Sequence, residues 1–485
     1  MADTIDIISE SLNFPEMRRR AVASRNYRIK ISPSNGSVFT PSQTMNLELP
    51  ANLACSYVDF SNLYLKFAVT YTCASADAYA YLDKPGAYSF LQRIQILTGG
   101  SSVFDLNNYS TLVGALLDTD VGGAYKCNAG NILAGLNGSK PVGELVGGVN
   151  GAVYVRTYCI PLILTPFANQ KKLVPLFSAD ALRFKIVLDT VVNALITPVS
   201  GADLVTNYSV NDVELCGYIT ELSASAQQNM DRMTQGVYNL LTPTWSNFQS
   251  SMVASAGVQS VTATIGIACS SLERVFVIHR PTAAQIAGNA TLGNRITNGL
   301  NSWSLLINGA SYPDRLINVQ TATDGACAEA FAELLISDHS LSDFSKSSGV
   351  QMATIGLAGT VAGVANMASY VNNTEAVFDN QLVVATNAAG VKPWGAAYTL
   401  GLPGIITTVT DSSIGSFVAS LELESGVSAG KSDRLYSGQM VIGKSVQYRG
   451  NYNANSIACS IDFFCQYSVL LTLNMRQQGI WQMSV

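Results

Sequence analysis

Charge is what this chain has least of. Asp, Glu, Lys and Arg together make up 13% of its 485 residues, against about a quarter in an ordinary soluble protein. A free monomer so poor in charge is weakly protected from association, so much of the surface is expected to be covered by neighbouring molecules. A surface of Ser, Thr, Asn and Gly, which the chain also has, is the other way to reach such a composition. The net charge of −5 argues against nucleic-acid binding by the body of the protein.

Histidine is almost missing as well, with only His279 and His339. A cupin-type metal site needs several imidazoles converging in one barrel, which two residues do not supply. Each reads as a surface or internally satisfied polar residue, and no cofactor is expected. There is no G-x-S-x-G elbow, no P-loop and no H-E-x-x-H. Glu422 and Glu424 share a strand face at a spacing a glycosidase could use, but with no apolar cleft around them they read as a solvated strand face. Asp314-Arg315 and Asp433-Arg434 read as local turn pairs of little energetic weight.

Long apolar runs are absent too. No stretch approaches the roughly eighteen residues of a membrane span, and the richest, from Tyr158 to Ala168, carries two prolines. Met1 to Glu16 holds acidic residues and no apolar run, unlike a signal peptide. The nine cysteines, at 55, 73, 127, 159, 216, 269, 327, 459 and 465, form no CxxC pair and leave an odd count. Cys159, Cys269 and Cys465 lie inside apparent strands, where a free thiol behaves as a small apolar residue. The pattern points to assembly in a reducing intracellular compartment.

What the chain does have is one short module used twice. In the first copy Ile94 and Ile96 share a face within Leu91 to Leu97, the two-residue period of a strand. Gly99 and Gly100 supply the backbone freedom of a tight reversal, and Val103 to Leu106 runs back. Leu112, Ala115 and Leu116 then recur at helical spacing. Some two hundred residues later the order returns: the strand from Trp303 to Ile307, the turn Asn308-Gly309, an extended stretch from Leu316 to Val319, and a helix from Asp324 to Ser337 with Asp324 as N-cap. One supersecondary unit placed similarly in two halves indicates a duplicated domain.

The length fits two domains of about 200 residues each. Strands are expected at Tyr27 to Ile31, Met45 to Leu49, Val58 to Thr72, Val153 to Leu164, Leu182 to Leu188 and Val213 to Leu222 in the first half. In the second half they are expected at Val261 to Ile267, Arg274 to Ile278, Ser416 to Leu423, Gln439 to Val446 and Cys459 to Leu473. The last is the most apolar and should be central. Two glycine- or alanine-rich stretches, Val121 to Gly151 and Ser345 to Asp411, read as long surface excursions. Ala224 to Gly236 has high helix propensity and a terminal Gly, and reads as a linker.

The resulting organisation is an N-terminal arm over 1–25, a first jelly roll over 26–224, a linker helix over 225–240 and a second jelly roll over 241–485. The fold class is all-β, two tandem eight-stranded antiparallel jelly rolls with short inserted helices and long surface loops. A propeller would show four or more blade repeats, and an immunoglobulin pair would have shorter halves. Arg18, Arg19, Arg20 and Arg25 make the arm locally basic in a chain otherwise poor in charge. They are candidate phosphate contacts, to genome or to lipid headgroups, with a solvated tail as the alternative.

The strand through Ile160-Pro161-Leu162, the Leu173 to Leu176 segment leading into Leu182 to Ile186, and the Leu306 to Gly309 turn leading to Tyr312-Pro313 and the Ala328 to Leu335 helix resemble double jelly-roll major capsid proteins. The flavour is that of polinton-like viruses, virophages and adintovirus-type elements. The resemblance runs in order along nearly the whole chain through short apolar motifs. It implies a homotrimer whose six jelly rolls form a pseudo-hexameric capsomer, tiling an icosahedral shell around the genome. The implied partners are neighbouring capsomers, penton and minor capsid proteins, and genome or inner membrane through the arm on the inner face. The excursions would form towers on the outer face, and the virion would be the location. The alternatives are a two-domain β-sandwich binding module, lectin-like or a virion appendage, and then a glycoside hydrolase.

Overall fold

In a computed structural model of the chain, the structure describes residues 24–73, 79–83, 85–136, 145–147, 155–168, 172–196, 205–281, 295–319, 328–338, 341, 417–424, 438–454, 456–475 and 479–485. The main strands of the first half are β1 (Ser24–Ile31), β2 (Thr44–Glu48), β3 (Tyr64–Cys73), β4 (Leu91–Thr98), β5 (Ser101–Asn107), β6 (Val155–Pro161), β7 (Arg183–Leu188) and β8 (Val205–Leu222). Those of the second half are β9 (Val237–Met252), β10 (Gln259–Ile265), β11 (Leu272–Pro281), β12 (Leu300–Ile307), β13 (Ala310–Asn318), β14 (Ala419–Glu422), β15 (Val446–Tyr452) and β16 (Cys459–Asn474), followed by β17 (Trp481–Ser484).

These strands pair antiparallel in two sheets per half. The first half has the orders β6-β3-β8-β1 and β2-β7-β4-β5, and the second has β14-β11-β16-β9 and β10-β15-β12-β13. Adding eight to each strand number of the first half reproduces the second. The fold is therefore a tandem of two jelly rolls, and the duplication inferred from one module extends to every main strand.

The module itself folds as its sequence requires. Gly99 and Gly100 take φ of 54° and 83°, and Asn308 and Gly309 take 52° and 84°. Two successive left-handed residues are what a two-residue hairpin between twisted strands demands. Helix α1 (Tyr109–Asp120) follows β5, and a later helix, Ala328–Ser337, follows β13. Leu91 departs from simple alternation: a bulge opposite Val187 and Leu188 turns it onto the buried face of Ile94 and Ile96.

Cys459–Asn474 pairs with β9 on one side and with β11 and β17 on the other, so β16 is central as its composition predicts. Other expectations need correction. Val58 to Thr72 is not one strand: Asp59 accepts from the Ser61 backbone and caps a turn of 3-10 helix at Phe60–Asn62, after which β3 starts. Gln439 to Val446 is not a strand, because β15 begins at Val446 and runs to Tyr452. Asp314 and Arg315 are exposed residues of β13, not a turn. Cys269 is buried but lies beyond the end of β10.

The described residues of the Val121 to Gly151 stretch, 121–136 and 145–147, hold regular structure where a surface excursion was expected. They contain α2 (Gly123–Cys127), α3 (Ala129–Ala134) and a strand at Leu145–Gly147, with Lys126, Ala134 and Leu136 buried. The excursion from Ser345 to Asp411 and the Asp324 cap lie outside the described residues. The linker helix, α4 (Ala224–Thr234), is capped by Ser223 Oγ at 3.3 Å from the Ala226 backbone N and ends at Gln235 and Gly236 with positive φ. β9 starts directly after it, inside the stretch read as linker helix. β1 likewise starts at Ser24, which makes Arg25 a strand residue and not part of an arm.

Candidate functional site

His279 is fully buried in β11, and its Nε2 lies 2.7 Å from the Tyr452 hydroxyl, which lies 2.9 Å from that of Tyr448. Burial alone pushes its pKa down to about 3, so the ring is a neutral core group. His339 lies outside the described residues. Glu422 is not solvated as its sequence suggested: burial lifts it to about 7, against the pull of Arg274. Neighbouring Glu273 is also raised, mainly by burial, and accepts from Ser468. These carboxyls sit at the end of a sheet, with no substrate cleft around them among the described residues.

Among the described residues no cluster of His, Cys, Asp and Glu could hold a metal ion, and no helix is long and apolar enough to cross a membrane. A shallow cavity of about 410 Å³ beside α4 is lined by Cys55, Phe177, Gln227, Asp231 and Met475. Its polar groups are already engaged. Gln227 accepts from Tyr57 at 2.9 Å, and Asp231 accepts from Tyr238 at 2.6 Å.

The surfaces by which jelly rolls meet are more informative. In β11, Val275 and Val277 point into the core of the second jelly roll, while Phe276 and Ile278 join the hydrophobic cluster of the first. The β14-β11-β16-β9 sheet is thus buried on both faces. Against its outer face come β5, the start of α1, and Pro166, Phe167 and Phe177. Phe167 meets Trp481 edge to face with centroids 5.7 Å apart, and Phe177 meets Tyr238 at 5.1 Å. The Thr242 hydroxyl donates to the Pro166 carbonyl at 2.7 Å.

Charges are buried in the same junction. Asp462, with no exposed surface, accepts from Asn108 Nδ2 at 2.8 Å and from Arg280 Nε. Asp118 in α1 pairs with Lys126 at 2.7 Å and with the buried guanidinium of Arg295. The Gly99 turn is pinned too: its N–H donates to Asp180, and a Cβ there would sit 2.7 Å from Ile480. Sequence reasoning missed all six: Asp462, Asn108, Arg280, Asp118, Lys126 and Arg295. A signal existed, since Arg280 and Asp462 interrupt the apolar runs of β11 and β16, and a charge inside such a run needs a partner.

The corresponding outer face of the first jelly roll lies open. Arg28 donates to the Tyr64 hydroxyl at 2.5 Å, and Lys30 and Lys66 share Glu214 at 2.8 and 2.9 Å. Tyr218 and Val155 are about half exposed. Of the candidate phosphate contacts only Arg25 is described: it is exposed, 5.8 Å from the centre of the Tyr27 ring, on the strand that pairs Ser24 with Leu222 beside the α4 cap. Arg18, Arg19 and Arg20 lie outside the described residues.

No protein-family model matches the chain, and no curated protein matches it. Solved structures do. VP54 of PBCV-1, as fitted into a reconstruction of the virophage Sputnik, aligns with a TM-score of 0.57 at 10% identity, over 97% of this chain and 99% of that one. A chain of the Sputnik virophage structure aligns with a TM-score of 0.55 at 10% identity, over 100% and 93%. The mavirus major capsid protein aligns with a TM-score of 0.51 at 10% identity, over 100% and 96%. At such identity the likeness is one of fold, and it spans both jelly rolls in each case.

Proposed function

We propose that this chain is a viral major capsid protein that self-assembles into homotrimeric, pseudo-hexameric capsomers tiling an icosahedral shell around the genome. The observation that carries the reading is the tandem of jelly rolls itself, matched from end to end with capsid chains such as that of mavirus. The cis junction supports it, because it is built like an interface between subunits, with ring contacts surrounding buried ion pairs. A charge content of 13% suits a molecule whose flanks are covered by copies of itself. The role is structural, not enzymatic.

In the virion the partners would be neighbouring capsomers together with penton and minor capsid proteins. The arm carrying Arg18, Arg19 and Arg20, with Arg25 behind it, would face inward toward genome phosphate or lipid headgroups. Cys55, Cys127, Cys159, Cys216, Cys269, Cys459 and Cys465 are free thiols, which suits assembly in a reducing compartment. The test is direct: the purified full chain, examined by light scattering and negative-stain microscopy, should form trimers with a hexagonal outline. A stable monomer at micromolar concentration that binds glycans would replace this reading with a two-domain binding module.

A further inference from the structure

The cavity beside α4 has the make-up of a seat for one cationic side chain. Its volume of about 410 Å³ lies within the range of small-ligand sites, and Cys55, Phe177 and Met475 give it an apolar wall. Phe177 is wedged between Tyr57 and Tyr238, with ring centres 5.4 and 5.1 Å away, so its ring is held before anything binds.

The carboxylate of Asp231 is set in the same wall. Neutral donors orient it: the Tyr238 hydroxyl at 2.6 Å and Gln227 Nε2 at 2.9 Å, both on Oδ1. Gln227 is itself buried and fixed by the Tyr57 hydroxyl. Among the described residues no cation pairs with Asp231, so its charge is left uncompensated. A fixed carboxylate beside an aromatic ring and a thioether suits a guanidinium better than an ammonium. The planar ion is weakly hydrated, packs on rings and offers two N–H groups to one carboxylate, and its methylene stem covers apolar wall.

The chain carries such a group close by. The described residues begin at Ser24, whose strand partner is Leu222, and the Leu222 N–H donates to the Cys55 carbonyl at 2.8 Å. The segment before Ser24 therefore joins β1 beside the cavity wall and the Ser223 cap of α4. In that segment Arg18, Arg19 and Arg20 are the only cationic side chains. Arg20 is four residues from Ser24, about 13 Å of extended chain. Asp231 is eight residues along α4 from Ser223, a rise of about 12 Å, so the two lengths match.

We propose that the cavity is the seat of Arg20 of the same chain. Its guanidinium pairs with Asp231, its stem lies against Phe177 and Met475, and the start of β1 is thereby tied to the helix that links the jelly rolls. The pairing needs no second copy, so it stands apart from the capsomer reading. Arg18 and Arg19 stay outside the cavity, available for the phosphate contact proposed for the arm.

Cys55, a partly exposed free thiol on the cavity wall, reports occupancy. The full chain and its variants are alkylated with iodoacetamide, and the modified residues are located by peptide mass spectrometry. In the wild type Cys55 reacts slowly. Arg20→Gln uncovers it and speeds its reaction several-fold, although losing a positive charge by itself slows a thiol by disfavouring the thiolate. Asp231→Asn speeds it as well, and Arg20→Asp combined with Asp231→Arg restores the protection. Cys127, exposed in α2, reacts alike in all of them, and Cys465, fully buried in β16, stays unmodified wherever the variant is folded. Equal Cys55 rates in the wild type and Arg20→Gln overturn the proposal. A rise in Asp231→Asn alone is what a lost negative charge does without any uncovering, and overturns it too. Protection that fades on dilution comes from the segment of another copy, which overturns pairing within one chain.

Discussion

Arg295 and Asp118, 177 residues apart in sequence, form an ion pair across the two jelly rolls in which the guanidinium has no exposed surface. Asp118 is held on its other oxygen by Lys126, so one carboxylate serves two cations. Losing the shared member takes a carboxylate from both cations at once. Asp118→Asn is therefore expected to cost about 3–5 kcal/mol, the usual cost of removing one partner of a buried ion pair. Arg295→Met leaves the Asp118–Lys126 pair in place and should cost clearly less. Urea unfolding of the two variants checks the ranking, and the reverse order would show that Lys126 does not hold the carboxylate.

Gly99 and Gly100 both need positive φ, yet only Gly99 lies under the C-terminal segment. A Cβ at Gly99 would press into Ile480, and one at Gly100 meets nothing within 4 Å. Gly100→Ala should cost only the left-handed backbone term, about 1–2 kcal/mol. Gly99→Ala should cost that and a displacement of Ile480 as well. Melting temperatures of the two variants decide it, and equal losses would mean that Ile480 moves aside freely.

The hairpins were legible because each carries its pattern within twenty residues: alternation, a two-residue turn, alternation again. β16 was legible for the same reason, as a long apolar run. β9 was not. Its Thr242-Pro243-Thr244 and Ser246-Asn247 interrupt any apolar alternation, and it is a strand because sixteen residues pair with β16 while Tyr238, Leu240 and Trp245 are covered by the first jelly roll. Tertiary cover overrides local propensity there. The Asp118, Arg295, Asp462 and Asn108 junction is assembled from positions hundreds of residues apart, and no periodicity marks it. The α2 and α3 helices were hidden by glycine, yet Gly135 serves as the left-handed cap that ends α3.

His279 should make the fold sensitive to acid. Its folded pKa is about 3 against an ordinary 6.5, so the unfolded chain takes up a proton that the folded chain refuses. The stability is present above pH 6.5 and is lost as pH falls toward 3, at a slope of about 1.4 kcal/mol per pH unit from this group. His279→Gln removes that slope, whatever it costs at neutral pH. Unfolding free energies of both proteins from pH 7 to pH 4 check this, and parallel curves would place the imidazole in contact with water.

Glu422 should act in the opposite direction. Burial holds it protonated to about pH 7, where an unfolded glutamate ionises near 4.5. The folded chain therefore binds the extra proton between those values, and the stability present below pH 4.5 is lost as pH rises through 7. Glu422→Gln keeps the neutral shape and avoids the charge, so it should be the more stable protein at pH 8, by at most about 3 kcal/mol. Near pH 4 the two should coincide. Glu424 lies close by, and relieving its repulsion adds to the gain, whereas Arg274 loses an attractive partner and subtracts from it. Thermal melts at the two pH values separate these cases: a variant less stable at pH 8 would mean that the Arg274 attraction outweighs burial and that Glu422 is ionised in the folded protein.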